Sequence, residues 1–406
     1  MDESVIKLAK SILAEANGKI CNHCLGRKLS SSFDGNDNVD RALTISEELN
    51  IDQSASECVI CGNIFDKIDD SLFDKVYDKI DSLDVEFDSF LVGTSIDKKI
   101  TEKDNEFSEK LGLEVETIKK ELNRVIGREL EKSLGREVRF DKQDIVVNVD
   151  LRRSPKIRIQ INPIFIEGKY NKFKRGIPQT KWPCTHCKGR GCEACNFTGK
   201  QYSESVEELL SEHILEVTRG YQAKFHGAGR EDLDVLMLGE GRPFILEIKE
   251  PRIRKIDLHY LEEKINKINE GKTKYNNLTF AERNRKAEIK VSSPDTFKVY
   301  KAIVKTESEY NADDLDKLTS LDEIHQQTPV RVLRRRADKV RIRHVKDLKT
   351  EVIDSTTFEM TIKTEGGLYI KELISGDGGR SQPNISDILG IPAVCAQLDV
   401  IQVSDK

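Results

Sequence analysis

The sequence predicts a mixed α/β protein of more than one domain, and three observations carry that reading. Apolar residues keep helical spacing through much of the N-terminal half, two runs of strand formers follow, and strands then alternate with helices. At 406 residues the chain is also too long for one ordinary domain, since length over about 150 suggests two or three. Val5, Leu8, Ala9, Ile12 and Leu13 open the chain as an amphipathic helix. A polar, acid- and Ser-rich segment reaching about Ser56 separates Cys21-Asn22-His23-Cys24 from Cys58-Val59-Ile60-Cys61. Phe65 to Leu83 repeats the helical spacing as a second helix, and Asp84 to Val92 alternates as a strand. Val115, Ile118, Leu122, Val125, Ile126, Leu130 and Leu134 mark a long helix. Ile145–Val149 and Ile157–Ile161 read as strands parted by a turn at Ser154-Pro155. A second cysteine group at 184–195 divides this half from the rest, and a helix near Val206 to Val217 follows. There is no internal repeat and no low-complexity tract.

Charged residues make up 34% of the chain, above the roughly 25% of an average protein, yet the net charge is −5. Attraction to a polyanion must therefore be local. From Gly168 to Cys192 seven cations occur with no acid, interleaved with Tyr170, Phe173 and Trp182. From Arg331 to Lys349 nine Lys/Arg face two Asp. Cations on phosphates and aromatics on bases suit RNA, while a charge run alone is as often a solvated face. No apolar run approaches the roughly 18 residues of a membrane span. The opening Met1-Asp2-Glu3-Ser4 is acidic where a signal peptide is positive, so a cytoplasmic protein is expected.

Eight of nine cysteines fall in CxxC pairs, which without an export signal favours metal over disulfides. Two thiolates two residues apart can turn a loop around one tetrahedral ion, and a second pair completes the shell. Cys21, Cys24, Cys58 and Cys61 are accordingly read as a structural zinc site. Cys184, Cys187, Cys192 and Cys195, with Gly189 and Gly191 between, are read as a zinc knuckle. Their central gap is shorter than the roughly 15–20 residues between zinc-ribbon pairs, so unligated thiols or a redox site stay open. Cys395 reads as a small core residue.

The most informative stretch is Ala228-Gly229-Arg230-Glu231-Asp232-Leu233-Asp234-Val235-Leu236-Met237-Leu238. A Gly-Arg turn delivers an Asp onto an apolar, strand-like run, and Gly241-Arg242-Pro243-Phe244 follows. Taken alone, an Asp beside Arg and Gly is usually a turn or an ion pair. The stretch nevertheless resembles the active-site loop of pseudouridine synthases, in particular the archaeal tRNA enzymes that isomerise uridines 54 and 55 in the TΨC arm. Gly366-Gly367-Leu368-Tyr369-Ile370-Lys371-Glu372-Leu373 resembles a synthase segment in which a Tyr and a basic residue lie two apart on a strand. Lys298-Val299-Tyr300 resembles a Lys-x-Tyr strand motif, Thr328 to Arg336 agrees in position, and Asp377 to Asn384 matches the loop after the Tyr369 segment. The helices leading into a short sheet resemble a THUMP domain, the module that delivers modifying enzymes to tRNA.

The resemblance implies a zinc module at 1–62, a THUMP-like tRNA-binding domain at 63–181 and a Cys-rich connector at 182–200. A catalytic domain on a central antiparallel sheet would occupy 201–406. It implies Asp232 as nucleophile in a desolvated pocket, with Asp234 structural. Lys371 would pair with Asp232 and hold it ionised, and Tyr369 and Tyr300 would hold the extruded base. Arg334, Arg335 and Arg336 would contact phosphates. The bland alternatives are a half-buried strand with a snorkelling Lys371 and a core Tyr300. The partner is tRNA, no cofactor is needed for catalysis, and no nucleotide cofactor is expected. Competing readings are a catalytically inactive zinc-containing tRNA-binding protein, another THUMP-bearing modifier and a redox protein. A methyltransferase would show a Gly-rich loop and a thiouridine synthase a Ser-Gly-Gly motif, and neither occurs. One position departs from the family pattern: Leu236 stands where an Arg usually follows the Asp-Val.

Overall fold

The computed structural model describes residues 2–51, 57–289, 296–334 and 336–404. It divides into two units. One takes the chain to Pro163 together with Glu250–Arg254, and the other takes Ile164–Lys249 and everything from Lys255.

The first unit begins with α1 (Glu3–Glu15), capped by the Asp2 carboxylate and burying Val5, Ala9 and Ile12 on one face. Two helices, α2 (Asn22–Lys28) and α3 (Asn38–Glu48), lie where the sequence reads as merely polar. α2 buries Cys24 to Lys28 in unbroken succession and α3 buries Asn38, Ala42, Ile45 and Ser46, two of them polar, so neither repeats an apolar period long enough to register. Then come α4 (Asp70–Asp81), β1 (Ser89–Ser95), α5 (Lys98–Lys110), α6 (Ile118–Leu134), β2 (Glu137–Val138), β3 (Ile145–Asp150) and β4 (Lys156–Ile161). The helix expected from Phe65 is shorter, because Asp69 accepts the Leu72 N–H and starts α4 afresh after a single turn at Ile64–Lys67. The strand expected from Asp84 likewise starts later, as β1. The sheet runs β2-β1-β3-β4, with β1 parallel to both neighbours and β3–β4 antiparallel.

A buried charge cluster joins three of the helices. Arg27 reaches Glu121 and Asp104 at 2.6 Å each, and Lys28 reaches Asp104 at 2.7 Å. His23 stacks on Phe65 at 3.9 Å and contacts Glu121 at 3.0 Å. Burial pushes both carboxyls up, but their cationic partners outweigh it and hold them below the usual range. Thus α2, which starts inside the first CxxC pair, is tied to α5 and α6.

The second unit contains β5 (Ile164–Lys172), α7 (Val206–Thr218), β6 (Gln222–Gly227), β7 (Leu236–Lys249), α8 (Leu258–Ile268), β8 (Thr273–Ala281), α9 (Arg285–Glu288) and β9 (Phe297–Thr306). It continues with β10 (Glu323–Gln327), β11 (Val340–Asp354), β12 (Thr357–Glu365), α10 (Ile370–Ser375), β13 (Ser381–Gln382), α11 (Ile385–Leu389) and β14 (Ala393–Val403). Ten strands make one sheet in the order β13-β10-β11-β12-β9-β14-β7-β5-β8, with β6 also paired to β7. Every pair is antiparallel except β14–β7, where Asp399 lies opposite Leu236. The unit division falls before Ile164, not at the expected 181/182 boundary, because β5 lies between β7 and β8 as an inner strand.

Replacing Arg27 by Leu is expected to cost about 3–5 kcal/mol, since two buried carboxylates lose their shared guanidinium. Urea unfolding followed by circular dichroism measures it. A loss below about 1 kcal/mol would mean that Lys28 and His23 satisfy the cluster unaided.

Candidate active site

The loop between β6 and β7 is held from inside by charge. Glu231 is buried, accepts the Tyr170 hydroxyl at 2.8 Å and pairs with the buried Arg242 at 3.0 Å. Lys172, also fully buried, donates to the carbonyls of Asp232 at 3.2 Å and Ile177 at 3.0 Å. Arg242 donates to the Ala228 carbonyl at 3.0 Å, and Gln179 to that of Gly229 at 2.9 Å. Gly229 has φ +86°, and a Cβ there would approach Lys298 Nζ at 3.0 Å and Arg242 Nη1 at 3.1 Å. The basic stretch beginning at Gly168 is thus partly internal framework. Tyr170 and Lys172 hold the loop, and Arg175 pairs with Asp399 at 2.6 Å.

With Glu231 turned inward, Asp232 faces outward with its side chain 40% exposed, not in the desolvated pocket expected from the sequence. Its nearest cation is Arg331, at 2.8 Å, which also contacts Glu372 at 2.5 Å. Lys371 lies 3.8 Å from Asp232 and pairs instead with Asp234, at 2.7 Å. Burial raises the Asp234 carboxyl, but the Lys371 ammonium more than offsets this and holds it below its usual value. Asp234 therefore shares the cation that the sequence reading gave to Asp232 alone. Arg331 was missed because it sits at the head of a basic run whose other members read as phosphate contacts.

Tyr369 and Lys371 are not on a strand. Gly367, with φ +98°, lies just beyond the end of β12, and Tyr369 is the N-cap residue of α10. The buried Gln326 amide accepts the Tyr369 N–H at 2.7 Å and donates to its carbonyl at 3.0 Å, fixing this corner. Arg331 lies over the Tyr369 ring at 5.8 Å. Tyr300 comes up from β9, and burial pushes its hydroxyl up to about 12, Asp232 and Glu231 adding to the effect. Asp232, Asp234, Tyr300, Arg331, Tyr369, Lys371 and Glu372 are thereby gathered from four parts of the sequence.

Two family models match the chain. The model for the Pus10 C-terminal domain matches residues 165–404, and that for the archaeal Pus10 THUMP domain matches 72–150. The tRNA pseudouridine synthase Pus10 of Methanothermobacter marburgensis is 49% identical over 395 residues, 97% of this chain and 98% of that protein. The chain belongs to the Pus10 family of tRNA pseudouridine synthases. It is an RNA-binding isomerase. The Methanosphaera stadtmanae protein of the same name is 42% identical over 95% of this chain and 96% of its own length. That of Methanocaldococcus jannaschii is 45% identical over 89% and 78%. The reading as a catalytically inactive tRNA-binding protein gains no support from these Pus10 synthases. A solved Cbf5-Nop10-Gar1 complex shows only a slight likeness, 16% identity and a TM-score of 0.31 over 49% of this chain and 45% of that one.

Arg334 and Arg336 are exposed, and Arg335 lies outside the described residues. Arg336 also lines a cavity of about 990 Å³ with Ala228, Gly229, Phe244 and Lys298. Leu236, where the sequence departs from the expected Asp-Val-Arg pattern, donates its backbone N–H to Asp399 at 3.3 Å. The Arg175 guanidinium reaches both Asp399 and the Asp234 carbonyl there.

Two four-sulfur groups can each hold a metal ion: Cys21, Cys24, Cys58 and Cys61, and Cys184, Cys187, Cys192 and Cys195. In each the sulfurs lie within 4.8 Å of one another. In the second group Gly191 donates to the Cys187 sulfur at 3.1 Å and Gly199 to that of Cys195 at 3.2 Å. Such donors stabilise the thiolate, the form that binds metal. Cys395 is half-buried against the core of the second unit. Among the described residues no helix is long and apolar enough to cross a membrane.

Burial pushes Lys298 down to about 7, with Arg242 adding and Glu231 opposing. An unfolded chain would hold this proton to about pH 10.4, so the folded state binds fewer protons between those values. Stability therefore rises with pH across that window, and below about pH 7 the cost of the buried charge is fully present. Lys298→Met is expected to gain roughly a few kcal/mol over wild type near pH 6 and little near pH 10. Denaturant midpoints at both values test this, and a gain independent of pH would show that Lys298 is not held neutral.

Proposed function

We propose that the chain isomerises uridine 54, uridine 55 or both in the TΨC loop of tRNA, with Asp232 as nucleophile. The observation that carries this reading is the outward Asp232 carboxylate on its Gly-Arg-Glu-Asp loop, 2.8 Å from Arg331 and fixed from behind through Glu231. The C1′–N1 bond must break, uracil must turn, and a C1′–C5 bond must form. A carboxylate can attack C1′ or promote glycal formation, and no redox step is required. The proton lost from C5 balances the one gained at N1, so the reaction closes without a cofactor. Arg331 and Lys371 place positive charge beside the carboxylate, and their attraction to it strengthens as RNA excludes water. Tyr300 and Tyr369 are placed to hold the extruded base, which a folded arm must release for C1′ to be reached.

Arg334, Arg335 and Arg336 would contact backbone phosphates. Zinc fits both cysteine groups by donor chemistry, since four sulfurs leave no open position and imply a structural role. A domain plan of zinc module, THUMP-like domain, cysteine connector and catalytic domain goes with this reading, as does a cytoplasmic location.

Asp232→Asn is expected to abolish turnover while tRNA binding stays within about twofold. Pseudouridine mapping on an unmodified tRNA transcript, wild type and variant side by side, decides both site and nucleophile. Product at neither position with wild type, or product with the variant, defeats the proposal. Neutralising Arg334, Arg335 and Arg336 together is expected to weaken tRNA binding and flatten its dependence on log salt by up to about 2–3 units. An unchanged slope would make the stretch an ordinary surface.

A further inference from the structure

The second cysteine group is linked to the nucleophile loop through a short series of contacts, although Cys195 and Asp232 lie 37 positions apart in sequence. Its four sulfurs draw residues 184–195 together, and the flanks close as a two-stranded neck. Pro183 and Lys200 form a β-bridge, Cys184 donates to the Gly199 carbonyl at 2.8 Å, and Gln201 donates to that of Trp182 at 2.9 Å. The neck is seated on the start of α7. Lys200 pairs with Glu208 at 2.6 Å, and the Lys181 N–H reaches Glu207 at 3.2 Å. The Val206 and Glu207 N–H groups donate to Pro178 and Gln179 at 2.9 Å. The segment thus fixed, 178–182, touches the loop twice. Gln179 donates to the Gly229 carbonyl at 2.9 Å, Trp182 receives the Arg230 guanidinium on its ring at 4.9 Å, and Tyr202 meets that ring edge-on at 5.5 Å. Gly229 and Arg230 lead directly into Glu231 and Asp232 on this loop.

We infer that the Cys184–Cys195 group is a positioning element for the nucleophile loop: metal held by its sulfurs fixes Gln179 and Trp182, and these hold Gly229 and Arg230. The inference rests on Asp232 being the nucleophile. Trp182 and Arg230 are positioning residues in it and take no part in bond changes. The neck works as a clamp because its two strands are too short to stay paired without the cross-link at their end. Releasing the metal frees Trp182, lets Arg230 leave the ring, and loosens the Gly229–Arg230 side of the loop, while Glu231 stays anchored to Arg242. A misplacement of about 1 Å at a reacting group is worth up to about a hundredfold in rate.

Trp182 is the only tryptophan in the chain, so its emission reads the clamp directly. The test uses the full chain, with zinc content measured, in wild type, Cys192→Ala, Trp182→Ala and Trp182→Phe. Cys192→Ala is expected to lose one zinc per chain, shift Trp182 emission to the red, and lower kcat at least about tenfold. KM and the Kd for tRNA should stay within about twofold. Trp182→Ala should give the same kcat loss with zinc retained, and Trp182→Phe, which keeps a ring for Arg230, should restore most of the rate. Should Cys192→Ala fail to fold, the two Trp182 variants carry the test alone. The inference is overturned by full kcat in Trp182→Ala, by equal loss in Trp182→Phe and Trp182→Ala, or by a zinc-free Cys192→Ala with unchanged emission and rate. A rise in KM and Kd at constant kcat overturns it as well, making the group an RNA contact. Arg230→Ala separates the clamp from the chemistry. If Asp232→Asn stays active, the nucleophile reading fails, but altered Trp182 emission in Arg230→Ala still establishes the clamp.

Discussion

The active site depends on one buried ion pair, Glu231 with Arg242. A carboxylate with no water around it is tolerated only when cations and hydrogen-bond donors surround it. Here the surroundings come from sheet register. Tyr170 on β5 lies directly opposite Arg242 on β7, so hydroxyl and guanidinium converge on one point beneath the loop. Lys172, two residues on from Tyr170, shares its face and reaches the carbonyls just beyond Glu231. The loop cannot lift Asp232 away without exposing or orphaning Glu231. The Asp232 carboxylate is thereby located by the fixity of its neighbour, the sort of support that the proposed nucleophile needs.

The same dependence explains what the sequence disclosed. The residues around Asp232 were legible because a Gly-Arg turn, an acid and an apolar strand are consecutive in the chain. So were the strands Ile145–Asp150 and Lys156–Ile161 and the long helix to Leu134, where local pattern and burial agree. Tyr170 and Lys172 were read as part of a basic, aromatic face, since their partner Glu231 lies about sixty positions away. No local pattern can show that a Lys is interior. Arg331 was hidden for the converse reason, being one cation among nine. The Tyr369 segment misled because two residues apart means one face only on a strand. The turn at Gly366-Gly367 ends β12, and α10 begins where the strand was expected to continue.

The two cysteine groups have unequal settings. The first is embedded in the core of its unit, with Cys24, Cys58 and Cys61 buried and Arg27 donating to the Cys24 sulfur at 3.6 Å. Removing its sulfurs would strip apolar surface and the charge cluster of a common anchor. The second has two half-buried sulfurs and closes a neck with little core of its own. Its value lies in what the neck touches. The short central gap that made it ambiguous as a zinc ribbon is also what keeps that neck narrow enough to present Trp182 at a fixed place.

Asp232 faces competing electrostatic demands, and its partners are shared accordingly. In the proposed role of nucleophile it would have to be ionised, yet a cation devoted to it alone would spend its charge in an ion pair. Arg331 is divided between Asp232 and Glu372, and Lys371 is held mainly by Asp234. Each cation thus lends field without full engagement. In water these interactions are weak, because at 40% exposure the Asp232 carboxylate is still screened. A bound RNA arm would replace that water with base and ribose, strengthening the same contacts at the moment charge shifts toward the sugar. A protein with a net charge of −5 can therefore attract RNA through a few local cations while relying on the substrate itself to complete the low-dielectric site.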